Sequence, residues 1–125
     1  MLKGKRALIV DDDMRNIFAL TSLLEDKGMN VVSTTMAAQR IASLQNGQGI
    51  DVILMDIMMP EMDGIDTIRA MRRIPACEDV PIIAVTAKAM KGDREKCMEA
   101  GAWDYLSKPV DTGLLIGVMR AWLAR

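Results

Sequence analysis

One segment sets the architecture of this chain: Val52-Ile53-Leu54-Met55-Asp56-Ile57-Met58-Met59-Pro60. Four apolar residues lead into a carboxylate. The turn-forming residue Pro60 ends the segment, and the turn-forming pair Asp63-Gly64 follows it. A short apolar run that ends in turn signals predicts a strand buried on both faces, with Asp56 where the strand ends. In a parallel α/β sheet the carboxyl ends of the strands form the functional edge, so an acid there is a helix cap, a metal ligand or a nucleophile.

Similar apolar runs recur along the chain and alternate with helical patterns. Besides the strand that ends at Asp56, strands are predicted at Arg6–Val10, Asn30–Thr34, Pro81–Val85 and Trp103–Leu106. Apolar residues at helical spacing predict helices at Met14–Lys27, Ala37–Leu44, Ile65–Arg73, Lys91–Ala100 and Asp111–Ala124. This alternation predicts an α/β fold of the (βα)5 type, a doubly wound, five-stranded parallel sheet of order 2-1-3-4-5 in the flavodoxin-like arrangement. At 125 residues, the chain from 1 to 125 is expected to form one domain.

The composition argues against several classes of function. The 16 basic and 17 acidic residues leave a net charge of −1, which disfavours a nucleic-acid surface or a polybasic membrane patch. No apolar run approaches the roughly 18 residues of a membrane span, and no signal peptide is visible, so we expect a cytoplasmic domain without membrane contact of its own. The absence of His removes His-based triads and His metal sites. Cys77 and Cys97 lack metal-ligand spacing and are predicted to be free thiols.

Residues able to do chemistry follow four of the predicted strands, namely Asp11 and Asp12, Asp56, Thr86 and Lys108. Parallel strands place their carboxyl ends on one edge, and the first and third strands are neighbours in the order 2-1-3-4-5, so the three carboxylates are expected to share a pocket. Unit charges about 4 Å apart repel by about 4 kcal/mol at an effective dielectric of about 20, so a cation must offset their charge. Mg²⁺ fits best, because it uses few carboxylates and accepts phosphate oxygens.

Such a site suits phosphoryl transfer. Asp56 would be the nucleophile, Mg²⁺ and Lys108 would hold the charge on the phosphoryl oxygens, and Thr86 would donate a hydrogen bond to one of them. Taken singly, each residue has a plainer interpretation: helix caps for Asp11 to Asp13, a loop acid for Asp56, a strand-end residue for Thr86, a surface lysine for Lys108 and a half-buried strand residue for Tyr105. Their joint order along the chain favours the site, because random placement would seldom put the right residue type at four strand ends.

Four motifs stand where the predicted strands end: Val10-Asp11-Asp12, Leu54-Met55-Asp56-Ile57-Met58-Met59-Pro60-Glu61-Met62-Asp63-Gly64, Val85-Thr86-Ala87, and Gly101-Ala102 through Tyr105 to Lys108-Pro109. Together they resemble the receiver domain of the response regulators of bacterial two-component systems, and the resemblance covers nearly the whole chain. The stretches 13–20 and 87–97 look most like receivers at the C-terminus of hybrid sensor histidine kinases. We therefore expect a fragment of a hybrid kinase, with a free-standing single-domain response regulator as the alternative.

The resemblance implies a role for each residue of the site. Asp56 would be the phosphoacceptor, taking a phosphoryl group from a phosphohistidine on a histidine kinase or a phosphotransfer domain. Asp11 and Asp12 would bind Mg²⁺ together with Asp56 and the backbone carbonyl of Met58. Lys108 would contact the phosphoryl oxygens.

The same resemblance implies a switch. Thr86 would move its hydroxyl toward the phosphoryl group and Tyr105 would turn its ring inward, which would reshape the face made by the 91–100 helix, the last strand and the last helix. The domain would not be an enzyme, although it would assist its own phosphorylation. A hybrid parent chain would be a protein-histidine kinase.

Other functions compete with this interpretation. Asp11 and Asp13 have the spacing of the two acids of haloacid-dehalogenase phosphatases, but the predicted helix begins at once and no cap domain exists. Flavin-binding electron carriers share the fold, yet their phosphate loop is rich in Ser, Thr and Gly, whereas the first loop here is acidic. A phosphate-independent docking module stays open as an alternative. The apolar last helix, which includes Leu114 and Leu123, could also support a weak homodimer.

Overall fold

Five parallel strands form the sheet. The computed structural model describes residues 3–11, 13–34, 50–57, 64–73, 80–86, 92–108 and 110–123. The strands are β1 (Arg6–Val10), β2 (Asn30–Thr34), β3 (Val52–Asp56), β4 (Ile82–Thr86) and β5 (Asp104–Ser107). Every neighbouring pair is parallel, and the order is β2-β1-β3-β4-β5. The predicted fold class and strand order are confirmed.

Four helices lie within the described residues: α1 (Met14–Asp26), α2 (Gly64–Arg72), α3 (Asp93–Ala100) and α4 (Thr112–Leu123). Their bounds agree with the predicted ones to within a few residues, and the helix predicted at Ala37–Leu44 lies outside the described residues. None of these four helices is long and apolar enough to cross a membrane.

The sheet is buried on both faces, which explains why its strands read as continuous apolar runs. Successive residues of a strand point to opposite faces, so Ile53 and Met55 of β3 enter one hydrophobic cluster while Val52 and Leu54 enter the other. The first cluster packs beneath α2 and α3, and the second packs beneath α1 and α4. Cys97 is a buried free thiol in the first cluster, as predicted, and Cys77 lies outside the described residues.

The start of α1 is fixed directly behind β1. Asp13 is the N-cap residue, and its side chain accepts a hydrogen bond from the backbone N–H of Arg15 at 3.0 Å. This bond lowers the pKa of Asp13 below its ordinary value of 3.8. The helix begins four positions after the end of β1, and its first turn lies against the carboxyl edge of the sheet.

Only part of the apolar pattern of α1 is buried. Ile17, Leu20 and Leu24 face the core, whereas Met14 is 66% exposed and Phe18 is 75% exposed. The rotation of the helix is set by the three buried residues, which leaves one Met and one aromatic ring on the solvent side of its first two turns.

The amino edge of the sheet carries a stack of side chains that joins the two helical layers. The guanidinium of Arg72 lies over the ring of Trp103, 5.5 Å from its centroid, and Trp103 packs edge-to-face on Trp122 at 5.1 Å. The indole N–H of Trp122 donates to the carboxylate of Asp104 at 3.3 Å. This stack therefore connects α2, β5 and α4 at the end of the sheet opposite to Asp56.

Candidate functional site

The carboxyl edge of the sheet brings together Asp11, Asp56, Thr86 and Lys108, four of the residues predicted from the strand ends, and the fifth, Asp12, lies outside the described residues. The register of the strands explains the meeting, because it pairs Val10 with Met55, Asp56 with Val85, and Thr86 with Ser107. Asp11 follows β1 by one residue and Lys108 follows β5 by one residue. Asp11, Asp56 and Thr86 are buried, at 2%, 3% and 0% exposure, which is unusual for the two acids because carboxylates are seldom fully buried.

Lys108 contacts both of the buried acids. Its Nζ lies 3.0 Å from Oδ2 of Asp11 and 3.1 Å from Oδ2 of Asp56. Its backbone N–H donates to the carbonyl of Thr86 at 2.7 Å, which fixes the point from which the side chain extends. Burial lowers the pKa of Lys108, but the hydrogen bonds to the two carboxylates and their negative charge outweigh burial and raise it above 10.5. The lysine is therefore charged at neutral pH.

Asp11 has two further partners, and one of them was not predicted from the sequence. The backbone N–H of Asp13 donates to its Oδ1 at 2.8 Å, and the side-chain amide of Asn16 donates to its Oδ2 at 2.6 Å. Asn16 belongs to the first turn of α1 and is half-buried. Asn16 precedes the buried Ile17 by one position and the buried Leu20 by four, and this helical spacing alone does not identify it as a partner of Asp11.

The proposed switch pair lies next to this cluster. Thr86 ends β4, and Tyr105 of β5 pairs with Ala84 one strand away. The ring of Tyr105 packs against the cluster beneath α3, and its hydroxyl oxygen is buried without a partner in hydrogen-bonding geometry. Burial raises the pKa of Tyr105 above 10.0, the charge of Asp93 adds to this effect, and the nearby hydroxyl of Thr86 opposes it. The ring of Tyr105 is therefore partly buried, with its hydroxyl near Thr86.

The described donors suit a hard divalent cation. Asp11 and Asp56 offer carboxylate oxygens in one buried pocket, and their two negative charges exceed the single positive charge of Lys108. The remaining negative charge and the oxygen donors fit Mg²⁺, which needs only one or two carboxylates and keeps several waters. Within the described ranges, no group of three acidic or thiol side chains converges. The two other predicted ligands, Asp12 and Met58, lie outside those ranges.

Comparisons with known proteins agree with this geometry. The family model of the response regulator receiver domain matches residues 7–120. The signal transduction histidine-protein kinase BarA of Escherichia coli K12 is 39% identical over 104 residues, which are 83% of this chain and 11% of BarA. The chain thus spans about a tenth of the length of that relative.

Two solved structures extend the comparison. The receiver domain of the sensor histidine kinase PA1611 from Pseudomonas aeruginosa PAO1, with a magnesium ion coordinated in its active site cleft, has a TM-score of 0.87 and 35% identity over 98% of this chain and 99% of that chain. The receiver domain of the Saccharomyces cerevisiae response regulator Ssk1 was crystallised with the histidine phosphotransfer protein Ypd1. It has a TM-score of 0.86 and 25% identity over 99% of this chain and 92% of that chain. With its strand order, its site at the carboxyl edge and these matches, the chain belongs to the response regulator receiver domain family.

Proposed function

We propose that Asp56 is the phosphoacceptor through which this receiver domain acts in a two-component phosphorelay. One observation carries the proposal: the ammonium group of Lys108 lies within 3.1 Å of both Asp11 and Asp56 at the carboxyl edge of the sheet. Two buried acids that share one lysine form an electrostatically frustrated cluster, and such clusters mark functional sites. Asp56 is the acid at the end of the central strand β3.

The chemistry is a displacement at phosphorus. A carboxylate oxygen of Asp56 attacks the phosphorus of a phosphohistidine, a P–O bond forms as the P–N bond breaks, and the imidazole leaves with the electron pair and takes up a proton. Lys108 is placed to turn from the two carboxylates toward the phosphoryl oxygens, where its charge stabilises the transferring group. The product is an acyl phosphate on Asp56, as in other carboxylate nucleophiles.

The metal site uses the same acids. Asp11 and Asp56 would hold Mg²⁺, with Asp12 and the backbone carbonyl of Met58 as the further ligands predicted from the sequence. When bound, Mg²⁺ neutralises negative charge on the phosphoryl oxygens. The magnesium ion in the PA1611 receiver supports this assignment.

Thr86 and Tyr105 form the switch. The phosphoryl group would attract the hydroxyl of Thr86, which lies at the end of the neighbouring strand, and the space between Thr86 and Tyr105 would then change. Tyr105 is also coupled electrostatically to Asp93 in the first turn of α3. A local charge event at Asp56 would in this way bias the surface formed by α3, β5 and α4.

The phosphoryl donor is a histidine kinase or a histidine phosphotransfer domain. The complex of Ypd1 with the receiver of Ssk1 and the similarity to kinases such as BarA support this partner class. We further propose that the chain is the receiver of a hybrid sensor histidine kinase and works in the cytoplasm. The domain accepts a phosphoryl group and is not itself the kinase.

Intact mass after incubation with acetyl phosphate tests the proposal. The wild type should gain the mass of one phosphoryl group when Mg²⁺ is present and none in EDTA. Asp56→Asn should gain nothing, whereas the control Asp26→Asn, an exposed acid at the end of α1, should behave as the wild type. A folded wild-type protein that gains no mass would favour a phosphate-independent docking module instead.

A further inference from the structure

Asp11 is held from two directions by the beginning of α1. The N–H of Asp13 donates to one carboxylate oxygen at 2.8 Å, and the side chain of Asn16 donates to the other at 2.6 Å. Asp11 is 2% exposed, so bulk water does not compete for these lone pairs. The two bonds fix both the rotation of the carboxylate and its position relative to the end of β1.

Asn16 and Lys108 share one acceptor atom, Oδ2 of Asp11. In the proposed reaction Lys108 turns toward the phosphoryl oxygens, and Asp11 then loses its only charged donor among the described residues. Asn16 can keep its bond, because its amide is neutral and its backbone is fixed in the first turn of α1. A neutral donor also orients the carboxylate without repelling a cation, which a Lys or Arg at this position would do.

We propose that Asn16 is a positioning residue that orients Asp11 for Mg²⁺ and thereby raises the metal affinity of the site. The inference rests on the proposed function, since it takes Asp11 as a metal ligand. Hydrogen-bond partners of metal-binding carboxylates typically contribute about 10- to 100-fold to metal affinity. The role is separable from helix formation, because the cap of α1 is Asp13 and not Asn16.

Calorimetric titration with Mg²⁺ tests the proposal on the wild type, Asn16→Ala and Asn16→Leu. The Ala variant removes the donor with the best helix former, and the Leu variant removes it at nearly constant side-chain volume. Both should bind Mg²⁺ about 10- to 100-fold more weakly than the wild type. Ser22→Ala, an exposed polar residue of the same helix, is the matched control and should bind as the wild type does.

Thermal unfolding gives a second readout, the rise in Tm that Mg²⁺ causes, which the loss of a purely structural residue would not change. A ligand of the native state raises Tm by an amount that grows with its concentration relative to Kd, so the Mg²⁺-dependent rise in Tm should be smaller in both Asn16 variants. A residue needed only for packing would lower Tm equally with and without Mg²⁺. That result, or Mg²⁺ affinities equal to the wild type, would overturn the role of Asn16 and leave the proposed function standing. A wild type that binds no Mg²⁺ would overturn both.

Discussion

Lys108 and Asp56 form an ion pair at 3.1 Å although 52 positions of sequence separate them. The pair exists because β3 and β5 end at the same edge of the sheet, with β4 between them. The same ammonium group also reaches Asp11 at 3.0 Å, so one cation serves two buried anions. Among Asp11, Asp56 and Lys108, one positive charge therefore faces two carboxylates.

The first prediction concerns the removal of this cation. Lys108→Met keeps most of the side-chain volume but leaves two buried carboxylates without their shared partner. In EDTA we expect the free energy of unfolding to fall by about 3 kcal/mol, the usual cost of breaking a buried pair from one side. Mg²⁺ should recover part of this loss, since the ion supplies the missing charge. Urea unfolding in EDTA and in Mg²⁺ measures both effects.

Lys96→Met is the control for this experiment, because Lys96 is an exposed lysine of α3. Its unfolding free energy should stay within about 0.5 kcal/mol of the wild type in both buffers. If Lys108→Met were as stable as the wild type in EDTA, the carboxylates would not need the lysine for neutralisation, and the electrostatic account of the site would be wrong.

The second prediction concerns alkaline pH. Burial raises the pKa of the Cys97 thiol above 9.0, and the charge of Asp93 raises it further. The unfolded chain therefore releases this proton at lower pH than the folded chain does. As a result, the free energy of unfolding falls as pH rises above 9.0. The raised pKa values of Tyr105 and Lys108 act in the same direction from 10.0 and 10.5 upward.

Cys97→Ala isolates the contribution of Cys97, which is the loss of stability that begins at the lowest pH of the three. The substitution costs some stability at every pH through lost packing in the core, but it removes the thiol whose ionisation opposes folding. The variant should therefore show a flatter fall of the unfolding free energy between about pH 8 and 10 than the wild type shows. Urea unfolding at closely spaced pH values gives the two slopes. Equal slopes would mean that the Cys97 thiol titrates alike in the folded and unfolded chains.

The strand-end residues of the site could be predicted from the sequence, whereas the contacts that orient them could not. Asp56, Thr86 and Lys108 were found because buried parallel strands read as short apolar runs, and the residue after each run must reach the same edge. The bond from Asn16 to Asp11 depends on how α1 is rotated about its axis, to within a fraction of a turn. The apolar residues at helical spacing in α1 include Phe18, which the structure leaves exposed, so the spacing alone does not specify that rotation.

The stack at the amino edge was likewise invisible in the sequence. In the sequence, 31 positions separate Arg72 from Trp103 and 19 separate Trp103 from Trp122. Only the tertiary fold brings the three side chains into one stack. Arg72 donates to the carbonyls of Gly101 at 2.8 Å and Val80 at 2.7 Å in addition to lying over Trp103. A Cβ on Gly101 would approach Cγ of Arg72 to 2.5 Å, so Gly is required for this close approach as well as for its backbone φ of +124°.

The third prediction follows from these contacts. Arg72→Lys keeps the charge but loses the planar fork that serves two carbonyls and the face of Trp103. Hydrogen bonds from charged groups contribute about 1.5–3 kcal/mol each, so we expect a loss of unfolding free energy in that range. Arg69→Lys, an exposed arginine of the same helix, should change it by less than about 0.5 kcal/mol. Phosphorylation by acetyl phosphate should be unaffected in both variants, because the stack lies at the opposite edge of the sheet.

The last prediction concerns the exposed apolar pair on α1. Met14 and Phe18 are four residues apart, so they are neighbours on one helix face, and the helix begins directly after the acids of the site. Their exposures of 66% and 75% are unusual for large apolar side chains. In the proposed reaction a protein donor brings its phosphohistidine to Asp56 and therefore lies against this edge. We expect Phe18 to be part of its contact surface.

Phe18→Ser should slow phosphotransfer from a phosphorylated histidine phosphotransfer domain by about tenfold or more, because truncating an aromatic interface anchor costs roughly 1–2 kcal/mol or more. Transfer from acetyl phosphate should keep its wild-type rate, since a small donor needs no docking surface. Met98→Ser, which removes an exposed Met from α3, is the control and should leave both rates unchanged. Equal slowing with both donors would place the effect of Phe18 in the site itself, and unchanged rates with both would mean that the protein donor docks away from this face of α1.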